Sequence, residues 1–146
     1  MNLLKKSFAL LLAMVFCLGL TACVRNEVGG DWRVTGVVRD GGTITRDGQD
    51  TLVLVCVHSG DAVFYYDKED QTMFGFVEYP VTLAGDAWEA FEDIDFADLN
   101  GDGNSDVTMR FQDGGKELRM VWFWDAESEQ FVYQPEESQL GADAAE

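Results

Sequence analysis

Residues 93–111 have the sequence DIDFADLNGDGNSDVTMRF, in which a polar, acidic loop separates two short apolar segments. Ile94 and Phe96 alternate with polar residues before the loop, and Val107 and Met109 alternate with polar residues after it. A period of two is typical of β-strands that bury one face. The stretch therefore predicts two strands joined by a polar loop.

The same pattern recurs along the chain at intervals of about ten residues, with turn-forming residues such as Asp40-Gly41-Gly42 between the segments. Residues 51–57, TLVLVCV, are almost wholly apolar and predict a central strand, whereas residues 84–91 fit either a helical turn or an extended segment. The predicted strands are 32–38, 43–45, 51–57, 62–66, 72–77, 93–97, 107–111, 118–124 and 131–133. The fold prediction is all-β: two four-stranded antiparallel meanders, arranged as a sandwich or as propeller-blade-like units.

The N-terminus has the features of a secretion signal. Lys5 and Lys6 precede an apolar run at 8–20 that is short for a membrane span, and the run ends in the sequence LTAC at 20–23. This ending resembles a bacterial lipobox, in which Cys23 would be lipidated and become the new N-terminus. The alternative is an uncleaved anchor helix. Both predict a domain on the outer side of the cytoplasmic membrane.

The predicted organisation follows from that signal. It consists of a lipoprotein signal peptide at 1–22, a lipidated Cys23 and tether at 23–30, a β domain at 31–134 and an acidic flexible tail at 135–146. Cleavage would remove Cys17 and lipidation would occupy Cys23. Cys56 would then be a single, buried thiol, and no disulfide framework is predicted.

The chain is strongly acidic, with 10 Lys and Arg against 27 Asp and Glu, a formal charge of −17. Such a charge repels nucleic acid and anionic lipid surfaces, and it favours calcium and basic proteins as partners. The composition is also 47% hydrophobic and 12% aromatic. That apolar content argues for a folded core, and against disorder as the explanation of the acidity.

The loop at 98–106, DLNGDGNSD, places an oxygen-bearing side chain at every second position: Asp98, Asn100, Asp102, Asn104 and Asp106. Calcium binds six to eight hard oxygen ligands, and glycines at 101 and 103 permit a tight bend. The alternative is an Asp/Asn/Gly turn without an ion. Mutual repulsion of three nearby carboxylates favours a cation, so we predict one structural Ca²⁺.

The loop resembles an EF-hand loop but departs from it at the twelfth position, which is Met109 where an EF-hand has Glu. With strands on both sides, it is instead similar to the calcium loops of integrin-type FG-GAP and VCBS repeats. That resemblance implies side-chain ligands from Asp98, Asn100, Asp102 and Asp106, and a backbone carbonyl ligand from Asn104.

Residues 92–133 also resemble the C-terminal portion of small bacterial calcium-binding lipoproteins of the VCBS-like kind. That family includes immunity proteins that inhibit lysozyme-like peptidoglycan hydrolases. The resemblance implies a protein-binding or inhibitor module whose partner is a basic protein such as a cell-wall hydrolase. Two alternatives are an envelope hydrolase that uses carboxylates and a carbohydrate-binding surface module.

Other functional residues are few. Trp122 and Trp124 share one face of a predicted strand, and this face is either core or a binding surface for sugar or protein. His58, Ser59 and Asp61 are too close in sequence for a catalytic triad and are predicted to be exposed turn residues. No catalytic residue is predicted, so the sequence favours binding over turnover.

Overall fold

The computed structural model describes residues 31–141, and the compact unit that begins at Thr35 consists of two antiparallel β-sheets. Sheet 1 contains β1 (Val37–Arg46), β2 (Gln49–Val57), β3 (Asp61–Tyr66) and β4 (Met73–Glu78). Sheet 2 contains β5 (Phe91–Ala97), β6 (Asp106–Asp113), β7 (Lys116–Asp125) and β8 (Gln130–Tyr133). A helical turn, α1 (Ala87–Ala90), lies between the sheets in sequence, and a 3₁₀ turn, Pro135–Glu137, follows β8.

In each sheet the strands follow one another in chain order, so each sheet is a simple meander. The prediction of an all-β fold with two four-stranded meanders and the acidic loop between two strands is confirmed. The sheets pack as a sandwich and not as a closed barrel, with β1 near β5 and β4 near β8. The four edge strands therefore meet in two pairs, one on each side of the sandwich.

The core lies between the two sheets. Val55 and Phe64 from sheet 1 and Met109, Met120 and Trp122 from sheet 2 are almost completely buried there. These residues occupy alternate positions on their strands, as the period of two predicts. Each such side chain contributes about 1.5–3 kcal/mol by leaving water, which makes this interface the main source of stability.

The segment left open between helix and strand has both conformations. Residues 87–90 form a single helical turn that buries Ala87 and Ala90, and the chain then extends at Phe91 into β5. Phe91 is buried, and its ring packs 5.9 Å from the Phe111 ring, centroid to centroid. The turn therefore connects the two sheets and positions Phe91 in the core.

The first predicted strand and the turn after it are wrong. Residues 32–36 lie outside the sheet, and β1 continues through Gly41 and Gly42, with a bulge between Val38 and Asp40. A Cβ atom on Gly42 would lie 2.7 Å from the Phe96 ring of β5. Gly42 therefore allows the close approach of β1 to the other sheet and does not mark a turn.

The two ends of the chain differ in what the structure describes. Residues 135–141, which we assigned to an acidic flexible tail, run alongside β7. Gln139 forms a β-bridge with Arg119 of that strand, and Leu140 packs against the core. The predicted signal peptide, Cys23 and the tether lie outside the described residues, as do residues 142–146. Within 31–141, no helix has the length and apolar character needed to cross a membrane.

The contact between Gly42 and Phe96 predicts the effect of a single methyl group. Gly42→Ala should lower the free energy of unfolding by about 1–3 kcal/mol, because Phe96 is held against Phe64 and must be displaced. Gly60→Ala is the matched control, since its Cβ would have no neighbour within 4 Å. Urea denaturation of both variants measures the difference, and equal midpoints would contradict this account of β1.

Candidate functional site

The acidic loop at 98–106 connects β5 to β6 and is folded around its own carboxylates. The Asp98 carboxylate accepts hydrogen bonds from three backbone amides, those of Gly101 at 2.7 Å, Asp102 at 3.1 Å and Gly103 at 2.8 Å. Gly101 and Gly103 have φ angles of 78° and 87°, in the left-handed region that favours glycine. The sequence pattern thus produces a tight turn with its side-chain oxygens directed at its backbone.

The next two oxygen-bearing side chains continue this arrangement. Asn100 Oδ1 accepts a hydrogen bond from the Asp102 amide at 3.1 Å, and Asp102 Oδ1 accepts one from the Asn104 amide at 2.8 Å. Asp98, Asn100 and Asp102 are all exposed. These three residues form the solvent side of the loop.

Asp106 closes the loop from the inside. It is completely buried, and its carboxylate accepts hydrogen bonds from the amides of Leu99 at 2.8 Å and Trp124 at 2.9 Å. Burial raises the pKa of Asp106, although these amide hydrogen bonds lower it in part.

Between the ordinary pKa of Asp106 and its raised value, the folded chain keeps a proton on this carboxyl group that the unfolded chain has lost. Stability therefore falls as pH rises through that window, and the cost persists at neutral pH.

The loop is fastened to sheet 1 by the residues just before Asp106. The Thr45 amide donates to Ser105 Oγ at 2.9 Å, and the Ser105 amide donates to the Thr45 carbonyl at 3.0 Å. The Asp47 amide donates to Asn104 Oδ1 at 3.0 Å. We call these contacts the loop latch; they join the loop of sheet 2 to the β1–β2 hairpin of sheet 1.

Arg46 lies beneath the loop latch and was not found by sequence reasoning. Its guanidinium donates to the Ser105 carbonyl at 2.9 Å, and its Cζ lies 3.8 Å from the Trp124 ring centroid. Burial lowers the pKa of Arg46 to about 10, while the carboxylates of Asp106 and others nearby act in the opposite direction. Arg46 is therefore cationic at neutral pH and partly balances Asp106. No local motif in the sequence identifies this role.

The five predicted metal ligands are brought into one turn, and their donor atoms are all hard oxygens, which suits calcium. In this conformation their oxygens are engaged by backbone amides. No group of three or more His, Cys, Asp or Glu side chains is arranged to hold a metal ion within residues 31–141. The side-chain oxygen of Asn104 accepts a hydrogen bond from the Asp47 amide, and a ligand role for its backbone carbonyl stays a prediction.

A second candidate site is the cleft where the edge strands β4 and β8 approach each other, which we call the β4–β8 groove. Its volume is about 680 Å³. It is lined mainly by aromatic side chains of both sheets: Phe74, Phe76, Tyr79, Trp122, Trp124, Phe131 and Tyr133. Met73 and Val132, which are 60% and 45% exposed, extend this lining to the surface.

The charged groups of the β4–β8 groove are few, and all of them are negative. Glu78 and Glu129 line it and are exposed, and none of the described lining residues is Lys or Arg. Tyr79 also lines the groove, and its hydroxyl is buried without a hydrogen-bond partner. Burial raises the pKa of that hydroxyl, so it is protonated and can donate.

The two tryptophans predicted to share a face do share it, toward the core of the sandwich. Trp122 is 2% exposed, packs at 6.0 Å from Tyr133 and is a core residue. Trp124 is half-buried, with the Arg46 guanidinium over its ring and Phe131 at 5.2 Å. Both side chains line the β4–β8 groove, so the face is core at one end and groove wall at the other.

A hydrogen-bonded cluster on sheet 1 differs from the sequence prediction. His58 Nε2 lies 3.4 Å from Cys56 Sγ, and His58 Nδ1 lies 2.9 Å from Asp61, so His58 is more buried than a turn residue. This order of groups is that of a cysteine nucleophile with its base. However, Cys56 is fully buried, and burial together with Asp61 raises its pKa to about 11. The thiol is therefore protonated and structural.

Comparison with known proteins gives no further guide to the site. The chain matches no family model, no curated protein sequence and no solved structure.

The hydrogen bonds of Asp106 predict a large effect on stability. Asp106→Ala should lower the free energy of unfolding by about 2 kcal/mol or more, because the amides of Leu99 and Trp124 lose their buried acceptor. Asp95→Ala, at an exposed position on β5, should change it by less than about 0.5 kcal/mol. Denaturation in EDTA makes the comparison independent of calcium, and a small effect at Asp106 would contradict the assignment.

Proposed function

We propose that the chain is a lipid-anchored, extracytoplasmic, calcium-binding β domain that acts as a protein-binding module of the hydrolase-inhibitor or immunity type. The observation that supports this most is the acidic loop: five oxygen-bearing residues lie on one turn that is fastened to the opposite sheet. The lipobox-like sequence that ends at Cys23 supports the anchor, and an anchored domain outside the cytoplasm would be exposed to calcium.

Calcium would act on the stability of the sandwich. Asp98, Asp102 and Asp106 concentrate negative charge in one loop, and Arg46 is the cation packed against it. A divalent ion held by the loop oxygens would offset the remaining repulsion and the burial of Asp106. Because the loop latch connects both sheets, stabilising the loop would stabilise the packing of the two sheets.

Thermal unfolding of the full chain in excess calcium and in EDTA tests this proposal. Calcium at about a hundredfold excess over Kd should stabilise the fold by about 2.7 kcal/mol. Asp98→Asn with Asp102→Asn should remove most of that gain, whereas Asp67→Asn with Asp70→Asn, in the β3–β4 turn, should retain it. The gain should also diminish at acidic pH, because protons compete with calcium for the loop carboxylates. Equal melting temperatures in EDTA and calcium would overturn calcium binding.

Binding rather than turnover is supported by the distribution of charge. Most carboxylates of residues 31–141 are exposed, and the described chain contains one buried carboxylate, Asp106, which belongs to the loop. An exposed acidic surface attracts a basic partner over long distances and accelerates association. A cationic cell-wall hydrolase has the matching charge.

Retention of a cationic lysozyme by the full chain in phosphatidylcholine nanodiscs tests the partner class. Association should be fast at low ionic strength and should weaken by about tenfold or more in high salt, because steering by opposite charge is screened. Empty nanodiscs provide the background. Absence of retention of every cell-wall hydrolase tested at low salt would contradict the proposal.

A further inference from the structure

We infer that the β4–β8 groove is the binding site for an extended, basic segment of a partner protein. Apolar side chains of the segment would pack on the aromatic wall, and a Lys or Arg side chain would meet Glu78 and Glu129. This inference rests on the proposed protein-binding function and gives that function a location on the molecule.

The position of the groove suits an extended chain. β4 is the last strand of sheet 1 and β8 the last strand of sheet 2, so each pairs with one neighbour among the described strands. The outer edge of such a strand carries backbone N–H and C=O groups that can pair with an added strand. A segment lying along the groove would reach the free edge of one strand while its side chains contact both sheets.

Exposed apolar side chains are concentrated at the mouth of the groove. Met73, Phe76 and Val132 are 60%, 47% and 45% exposed, and all three line it. Met73 and Phe76 pair with Tyr65 and Val63 on the outer face of sheet 1, and Val132 alternates with the core-facing Phe131 and Tyr133, so the three side chains flank the groove at its rim. Apolar side chains exposed along the rim of a groove are typical of an interaction site.

The charged residues of the groove indicate which charge its ligand carries. Glu78 and Glu129 are the ionisable side chains among the described lining residues apart from tyrosines, and the chain as a whole has a formal charge of −17. The cation nearest the wall, Arg46, lies on Trp124 and Phe131, and the carboxylates of Asp106, Asp102 and Asp47 balance it. The groove therefore favours a positively charged partner.

The aromatic wall suits a peptide better than a saccharide. A sugar ring binds by stacking on an open aromatic face, but Trp122 is 2% exposed and one face of Trp124 is covered by Arg46. The Trp124 and Phe131 rings pack edge to face, at an interplanar angle of 70°. The two tryptophans of the wall therefore offer little open ring face to a sugar.

Direct binding measurements test the inference. The probe is a fluorescent peptide of alternating lysine and leucine, and the comparison ligands are the same peptide with glutamate for lysine and a chitin oligosaccharide. The full chain is held in phosphatidylcholine nanodiscs with calcium, and empty nanodiscs give the background. We expect the lysine peptide to bind and the glutamate peptide and the oligosaccharide not to bind.

Two pairs of variants test whether the peptide binds in the groove. Met73→Ser should weaken binding of the peptide by about tenfold, as for a truncated apolar contact in an interface, while Leu52→Ser should not change the affinity. Met73 and Leu52 are each 60% exposed, but only Met73 lines the groove. Glu78→Gln with Glu129→Gln should reduce both the affinity and its salt dependence, and Glu69→Gln with Glu127→Gln should change neither.

Melting temperatures of all variants show that each is folded. Equal affinities for Met73→Ser and Leu52→Ser, or preference for the oligosaccharide or the glutamate peptide, would overturn the inference. Lysozyme retention separates the two proposals: absence of retention by the unmodified chain counts against the protein-binding function. Retention that the groove variants leave unchanged counts against the groove alone.

Discussion

The loop latch is the contact on which the rest of the structure depends. Each sheet is a self-contained meander, so the backbone hydrogen bonds of one sheet do nothing to orient the other. Core packing holds the faces together, but apolar contacts specify direction weakly. The hydrogen bonds between Ser105 and Thr45, together with the Asn104 contact to Asp47, fix one end of sheet 1 against the loop of sheet 2.

Asp106 connects this contact to the interior. Its carboxylate holds the start of the loop through Leu99 and the end of β7 through Trp124, and Arg46 reaches both the loop and the Trp124 ring. A charge at that position costs free energy, because Asp106 is buried and lies near a second carboxylate, Asp102. The residue that closes the loop next to the loop latch is thus also a buried carboxylate that Arg46 balances only in part, which is why we propose that a cation acts there.

The loop and the β4–β8 groove are physically continuous through Trp124. The backbone amide of this residue bonds Asp106, its ring carries Arg46, and its side chain lines the groove. Anything that stabilises the loop would therefore also fix one wall of the groove. Under our proposals, calcium would support partner binding by ordering this wall, without touching the partner.

The sequence by itself determined the all-β class, the two meanders, most strand positions and the composition of the acidic loop, because these depend on local alternation and turn chemistry. It misplaced β1, since a glycine needed for close packing with Phe96 has the same local appearance as a turn glycine. Only the tertiary structure decided that Ser105 and Arg46 are joined, that Trp122 is core, and that β4 meets β8. Those contacts link residues distant in the chain, and no local pattern encodes them.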